Sequence, residues 1–192
     1  VVSSLIAVVL GTVAAIGIHN LKGWKKNMII NVTYLPILNP DIVTGISMML
    51  LFIAVNVPRG LLSMIIAHIT FGMPYVVISV LPKLAQLDPQ VYDAALDLGA
   101  TPREAYTKVI LPQVMPGIFT GFLLAFTMSV DDFVVSFFVT GNGVSNLAIS
   151  IYSMARRGIN PKINAVLTLL FAAVVALMYI IQKRFRKSAL DI

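Results

Sequence analysis

The stretch YDAALDLGATPREAYTKVILP, residues 92–112, is the most polar segment of a very apolar chain and lies between two long apolar runs. Asp88 and Pro89 precede it and predict a helix start, because Asp caps helix N-termini and Pro fits the first helical position. Gly99 predicts the end of this helix, since glycine readily adopts the left-handed conformation that stops one. The segment therefore opens with a short, capped helix.

A second short helix is predicted to follow directly. Thr101 is its predicted cap, and Glu104 completes a capping box three positions later. We predict that this helix ends at Leu111 and Pro112, because the residue before a proline is biased away from the helical conformation. The polar segment, about 83–112, is thus predicted to be a helix, a glycine turn and a helix.

The composition decides the fold class. Of the 192 residues, 58% are hydrophobic and only 11% are charged, whereas a water-soluble domain needs about 25% charged residues. Five apolar runs are long enough to cross a bilayer as helices. They are residues 1–18, 27–55, 60–81, 113–139 and 164–182. We predict an all-α polytopic membrane protein with five spans in a single transmembrane domain, 1–192, because these runs are too long and too uniform for barrel strands.

The beginning of the chain predicts a missing segment. Val1 opens directly inside apolar sequence, with no start methionine and no basic region before it. It therefore does not resemble a signal peptide. We expect the domain to be incomplete at its N-terminus and to lack one span.

The net charge of +6 predicts orientation rather than nucleic-acid binding. Ten of the fourteen Lys and Arg residues lie in three clusters, at 22–26, 83–108 and 183–187, which fall on one side of the membrane. Because the more basic side of a membrane protein is cytoplasmic, the polar segment and the C-terminus are predicted to be cytoplasmic. Arg156 and Arg157 lie on the other side, where they would meet lipid headgroups or an acidic face of a binding protein.

The polar segment also carries a family resemblance. The residues concerned are Asp93, Ala94, Ala95, Gly99, Val109, Leu111 and Pro112. This pattern resembles the EAA loop of ABC-importer permeases, with Asp93 where the family usually has Glu and Val109 where it usually has Ile. The resemblance implies a MetI-like helical bundle whose loop docks into an ATPase subunit. The alternative is a solvated connector, although a connector needs neither paired caps nor two small alanines that let another backbone approach.

Four further segments narrow the resemblance. They are NPDIVTGISMMLLF (39–52), HITFGMPYVV (68–77), SVDDFVVSFFVTG (129–141) and IYSMARRGINPKINA (151–165). Together they resemble the spermidine/putrescine permeases. That resemblance implies a bacterial inner-membrane protein with an ATPase dimer, a second permease subunit and an external polyamine-binding protein as partners. It also implies that ATP binds the ATPase and that this chain holds no cofactor.

Three carboxylates within the apolar runs are the candidate substrate contacts: Asp41, Asp131 and Asp132. An ionised carboxylate in the bilayer centre costs roughly 2.5–3.5 kcal/mol on insertion scales and is functional by default. Every Lys and Arg lies outside the runs, and the only basic-capable residue within one is His68. We therefore expect the carboxylates to meet a cation from a partner, from water or from the substrate.

Each carboxylate also has a plainer interpretation. Asp41 follows Asn39 and Pro40, which break the second run, and would neutralise the restarted helix N-terminus. Counted along straight helices, Asp41 lies about 21 Å and Asp131 about 27 Å from the cytoplasmic end of its run. Asp131 and Asp132 would point about 100° apart on one helix, so only one is expected to face the pathway. The other would be satisfied by Ser129, by Ser136 or by the partner permease.

Two further features predict packing rather than chemistry. His68, alone on an apolar run, is interpreted as a satisfied packing residue. Gly117 and Gly121 form a G-x-x-x-G pair, which permits close approach of another helix.

Some functions are excluded by what the sequence lacks. It has no G-x-x-x-x-G-K-[ST] phosphate loop, no His/Glu zinc cluster, no Ser/His/Asp arrangement and no cysteine. We therefore predict no catalytic residue and no metal site, and a translocation subunit rather than an enzyme. The open alternatives are a permease for another substrate, an ATP-independent channel and a membrane enzyme. For the permease, the acidic residues disfavour an organic anion but do not distinguish ferric ion from polyamines.

Overall fold

The computed structural model describes residues 1–141, 144–156 and 161–188. Over these residues the chain forms ten α-helices and one π-helix with no strand, which confirms the all-α prediction. The α-helices are α1 Val2–Asn20, α2 Gly23–Leu38, α3 Asp41–Ala54, α4 Leu61–Ala85, α5 Gln90–Asp97, α6 Pro102–Glu104, α7 Leu111–Asp131, α8 Val134–Thr140, α9 Leu147–Arg156 and α10 Pro161–Ser188. The π-helix Ala105–Ile110 joins α6 to α7. The chain divides into two compact units, Val1–Ala148 and Ile149–Ile192.

Three helical segments among the described residues are long and apolar enough to cross a membrane: α1, α4 and the continuous rod Pro102–Asp131. The pair α2 and α3 would add a fourth span if it crosses as one broken element. The fifth predicted run lies in α10, whose described apolar stretch, Asn164–Ala176, is shorter than a span. The polytopic prediction is confirmed, and the count of five stays a prediction.

The core of the first unit lies where α1, α4 and α7 meet. Val76 of α4 is fully buried there. A Cβ added at Gly11 of α1 would come within 2.7 Å of the Val76 Cβ, and one added at Gly121 of α7 within 3.0 Å of the Val76 Cα. At Gly117 the added Cβ would lie 2.8 Å from the Ser79 carbonyl oxygen. The packing role predicted for the G-x-x-x-G pair is confirmed, because both glycines let α7 approach the α4 backbone.

A second cluster joins α3 and α8. Gly45 of α3 is buried, and a Cβ added there would meet the Phe138 ring at 3.0 Å. The buried apolar residues of this second cluster are Phe52, Ala67, Val135 and Val139. This cluster holds the short helix α8 against α3 and α4.

Two breaks in the helices contradict the straight-helix geometry used above. At Asn39 and Pro40 the chain bends by 104° between α2 and α3, so the path length to Asp41 is not a depth along one axis. The fourth run also does not form one helix from 113 to 139. Helix α7 ends at Asp131, because Asp132 takes an extended backbone conformation with φ −65° and ψ 110°.

Candidate functional site: a capped polar segment and a broken helix

The first helix of the polar segment has the predicted ends. The Asp88 Oδ1 accepts a hydrogen bond from the Gln90 N–H at 2.9 Å, at the start of α5. Gly99 has a φ of +88°. Its N–H donates to the Leu96 carbonyl at 2.9 Å, and the Ala100 N–H donates to the Ala95 carbonyl at 3.1 Å. This pair of bonds is a Schellman motif, which confirms the predicted glycine stop.

The second helix starts with the predicted capping box. The Glu104 N–H donates to the Thr101 Oγ1 at 3.3 Å, and the Thr101 N–H donates to the Glu104 Oε2 at 3.1 Å. The Lys108 ammonium donates to the Glu104 Oε1 at 2.8 Å. Glu104 is partly exposed and precedes the apolar run. The hydrogen bond from Lys108 and those from Thr101 lower the pKa of Glu104 to about 2.

The predicted end of this helix at Leu111 and Pro112 is wrong. The chain continues from α6 through the π-helix into α7. The Leu111 N–H donates to the Tyr106 carbonyl, five residues back. This wider turn removes the need for an N–H at Pro112, which lies in the first turn of α7. Leu111 and Pro112 therefore join the polar segment to the membrane span in a rod of 30 residues, about 45 Å long.

The structure separates the two alanines expected to face a partner. Ala95 is only 7% exposed, whereas its neighbour Ala94 is exposed. Asp93 is also exposed, and the Leu98 side chain is 89% exposed although it is apolar. The outer face of α5 is therefore formed by Asp93, Ala94 and Leu98.

Contacts between distant residues hold α5 and the π-helix in place. The rings of Tyr92 and Tyr106 lie 5.2 Å apart between centroids. The Asn20 side-chain amide, at the end of α1, donates to the Tyr106 hydroxyl at 3.0 Å. A cavity of about 480 Å³ lies beside these contacts, lined by residues of α1, α4, α5 and the π-helix. Asn20 and Tyr106 are 86 residues apart, so no local pattern could have indicated their contact.

At the second region, Asp132 caps the helix that follows the break. Its Oδ1 accepts from the Val135 N–H at 3.0 Å, and its Oδ2 accepts from the Ser136 N–H and Oγ, both at 2.8 Å. The prediction that Ser136 satisfies one of the two adjacent carboxylates is confirmed. The Asn146 amide, which the sequence analysis did not single out, donates to the Asp132 carbonyl oxygen at 3.2 Å and to the Ser136 Oγ at 2.7 Å.

His68 of α4 lies against this cap. Its Nε2 is 3.3 Å from the Asp132 Oδ2 and 2.8 Å from the Ser136 Oγ, and its Nδ1 is 2.7 Å from the Ser129 Oγ. The side chains of His68 and Asp132 are 4% and 6% exposed. The interpretation of His68 as a satisfied packing residue is confirmed. Asp132 therefore has a partner within the chain, a buried imidazole, and its expected contact with a cation from outside the chain stays a prediction.

The other two carboxylates remain open to solvent. Asp131 is exposed at the last residue of α7. Asp41 is exposed at the first residue of α3, and no side-chain cap hydrogen bond forms there. Arg156, the last residue of α9, is exposed, while Arg157 lies outside the described residues.

Comparison with known proteins gives consistent matches. The family described as binding-protein-dependent transport system inner membrane component matches residues 7–190. The putrescine transport system permease protein PotI of Escherichia coli K12 is 39% identical over 88% of this chain and 62% of its own length. The spermidine/putrescine transport system permease protein PotC is 37% identical in E. coli K12, over 88% of this chain and 64% of its own. The PotC protein of Haemophilus influenzae is 33% identical over 97% of this chain and 72% of its own length. The chain thus spans about three fifths of the length of PotI.

Proposed function

The chain belongs to the family of binding-protein-dependent transport system inner membrane components, and on that premise we propose that it is the pore-forming subunit of an ATP-driven polyamine importer. The observation that carries the proposal is the similarity, over most of the chain, to PotI and PotC. The chain moves its substrate across the membrane and makes or breaks no covalent bond in it. ATP hydrolysis belongs to a separate subunit.

The polar segment supports the coupling part of this proposal. Its two helices are capped at both starts, and the glycine turn between them is closed by two hydrogen bonds. A short helix with a fixed outer face, formed by Asp93, Ala94 and Leu98, suits a groove on an ATPase dimer. The apolar, exposed Leu98 would gain most from burial in such a groove.

The rod Pro102–Asp131 supports alternating access. It starts beside α5, packs against α4 and α1 in the core, and ends at a candidate substrate residue. When ATP closes the ATPase dimer, displacement of α5 and the π-helix moves the whole rod, because no helix end interrupts it. Motion at the cytoplasmic face thereby reaches the break at Asp131 and Asp132.

Asp131 and Asp41 are the proposed substrate contacts. Both carboxylates are exposed in this chain, and polyamines carry ammonium groups at neutral pH. Pairing with an ammonium would offset the cost of holding a carboxylate within the membrane. Asp132 has a different role in this proposal, since the α8 N-terminus and His68 already occupy its oxygens.

The partners proposed are an ATPase dimer, a second permease subunit, an external polyamine-binding protein and the lipids of a bacterial inner membrane, with the C-terminus in the cytoplasm. Because carboxylates also bind ferric ion, a permease for iron is the alternative.

The test is uptake of labelled spermidine and putrescine by cells that lack their own polyamine importers and express the full-length protein with its natural partners. We expect ATP-dependent uptake, and an increase in KM of about tenfold or more in Asp131→Asn from the loss of one charged contact. Lack of uptake by an assembled wild-type complex would exclude the polyamine assignment, and ferric ion would then be tested in the same cells.

A further inference from the structure

One side chain contacts both sides of the break between α7 and α8. The His68 Nδ1 is 2.7 Å from the Ser129 Oγ, in the last turn of α7, and its Nε2 is 2.8 Å from the Ser136 Oγ, in α8. The same Nε2 lies 3.3 Å from the Asp132 Oδ2 within the break. His68 is therefore a clasp that holds two helices in a fixed relation.

One arrangement of protons that satisfies this cluster uses the Nε2–H tautomer of His68. With the proton on Nε2, His68 donates toward Ser136 and Asp132, and its Nδ1 accepts from the Ser129 hydroxyl. The Ser136 hydroxyl in turn donates to the Asp132 Oδ2 at 2.8 Å. Buried polar networks of this kind fix one geometry when every member is paired and become costly when one is removed.

Two of the residues that His68 contacts flank Asp131 in the sequence. Ser129 lies two residues before it and Asp132 directly after it, and His68 contacts the side chains of both. Asp131 itself points to the exposed surface. A residue whose two flanks are fixed by the same buried group has few backbone conformations available, so its carboxylate is presented in a narrow range of directions.

We infer that His68 is a positioning residue for substrate binding, which acts by holding the α7–α8 break so that Asp131 faces the pathway. The inference rests on the proposed polyamine function for its substrate. His68 does not contact the substrate, because it is 4% exposed and both ring nitrogens are engaged within the chain. Its contribution reaches the substrate through Asp131 alone.

The transport test compares His68→Leu with His68→Gln in the full complex. Leu removes both ring nitrogens, whereas the Gln amide can restore a donor close to the Nε2 position. We expect His68→Leu to raise the KM for polyamine about tenfold at unchanged expression and assembly, because an exposed contact loses its fixed geometry. His68→Gln should recover most of that loss. A KM in assembled His68→Leu equal to that of wild type would overturn the inference.

A second test does not depend on polyamine transport. Residues 1–192 contain no cysteine, so Asp131→Cys adds one thiol to this part of the protein. Its labelling rate by a water-soluble maleimide, read on this subunit against the same complex without the added cysteine, reports how residue 131 is presented. We expect His68→Leu to change this rate at least severalfold and His68→Gln to restore it. An unchanged labelling rate would overturn the inference that His68 positions residue 131, even if polyamine uptake is normal. If wild type transports no polyamine, the proposed function fails and the labelling rate alone decides whether His68 positions residue 131.

Ser63→Ala is the matched control. Ser63 lies on the same helix as His68, is fully buried, and donates to the Val139 carbonyl of α8 at 2.8 Å. It therefore ties α4 to α8 without contacting the break, and its loss should leave labelling of residue 131 unchanged. If His68→Leu fails to assemble, Ser129→Ala opens the clasp only on the α7 side and should change the labelling rate in the same direction. An unchanged labelling rate in an assembled Ser129→Ala complex would overturn the inference in the same way.

Discussion

The Asn20 side chain donates a hydrogen bond of 3.0 Å to the hydroxyl of Tyr106, so the end of the first span is fastened to the π-helix of the polar segment. The two residues come from distant parts of the chain and meet next to α5. Any force on α5 is therefore shared between the rod that ends at Asp131 and the first helix of the bundle.

Tyr106→Phe is expected to weaken coupling without unfolding the segment. The ring and its packing on Tyr92 remain, and only the hydrogen bond to Asn20 is lost, worth about 0.5–1.5 kcal/mol. We expect less substrate transported per ATP hydrolysed in reconstituted vesicles. Tyr92→Phe is the matched control, since no hydrogen bond to the Tyr92 hydroxyl occurs among the described residues. Equal coupling ratios in the two variants would argue against a role for the Asn20 contact.

The two alanines of the polar segment should differ sharply in crosslinking. In the assembled complex, Ala94→Cys is expected to form a disulfide with a cysteine placed in the groove of the ATPase, because Ala94 is exposed. Ala95→Cys should not, because Ala95 is 7% exposed within its own chain. Crosslinked bands on non-reducing gels give the measurement. Failure of Ala94→Cys to crosslink in an active complex would sink the docking proposal for α5.

Gly11 and Gly17, both in α1, provide a paired test of the core. Ala at Gly11 would place a Cβ 2.7 Å from that of Val76, whereas nothing lies within 4 Å of one at Gly17. Overpacking typically costs about 1–3 kcal/mol, while Gly→Ala in an open helical site stabilises by about 0.4–1 kcal/mol. We expect the thermal midpoint in detergent to fall for Gly11→Ala and to hold or rise for Gly17→Ala. Equal midpoints would contradict the close packing of α1 on α4.

Asp131→Ala and Asp132→Ala should separate function from stability. Asp132 caps α8 and pairs with His68, so its loss removes a cap worth about 0.5–2 kcal/mol and leaves a buried imidazole with fewer partners. Asp131 makes no such contact with the residues that the structure describes, so its replacement should leave stability nearly unchanged. Thermal unfolding of the purified complex measures the difference, and a larger loss of stability in Asp131→Ala would refute the assignment of roles.

The local features of the polar segment could be predicted because their signals lie within a few residues. Thr101 and Glu104 form the predicted box, and Gly99 forms the predicted turn. The helix end predicted at Pro112 is wrong because a proline that usually ends a helix is accommodated here by one π turn. The sequence alone carries no mark of that turn.

The candidate site was only partly predictable because its contacts are long-range. His68 is 61 residues from Ser129 and 68 from Ser136. Their contact depends on how α4 packs against α7 and α8. The three carboxylates, and Ser136 as a partner for one of them, can be predicted from the sequence. The sequence does not indicate that the helix breaks between Asp131 and Asp132, which gives two adjacent acids opposite environments.

The rod also fixes the rotational phase between the polar segment and Asp131. A π turn completes one revolution with one residue more than an α turn, so Ala105–Ile110 takes up its extra residue without rotating the helix on either side. A residue inserted into the regular part of α7 cannot be taken up in this way and would rotate the polar segment by about 100° relative to Asp131. Such an insertion should keep the helical content seen by circular dichroism and abolish ATP-driven transport. The orientation in which α5 docks, rather than the integrity of the rod, depends on that phase.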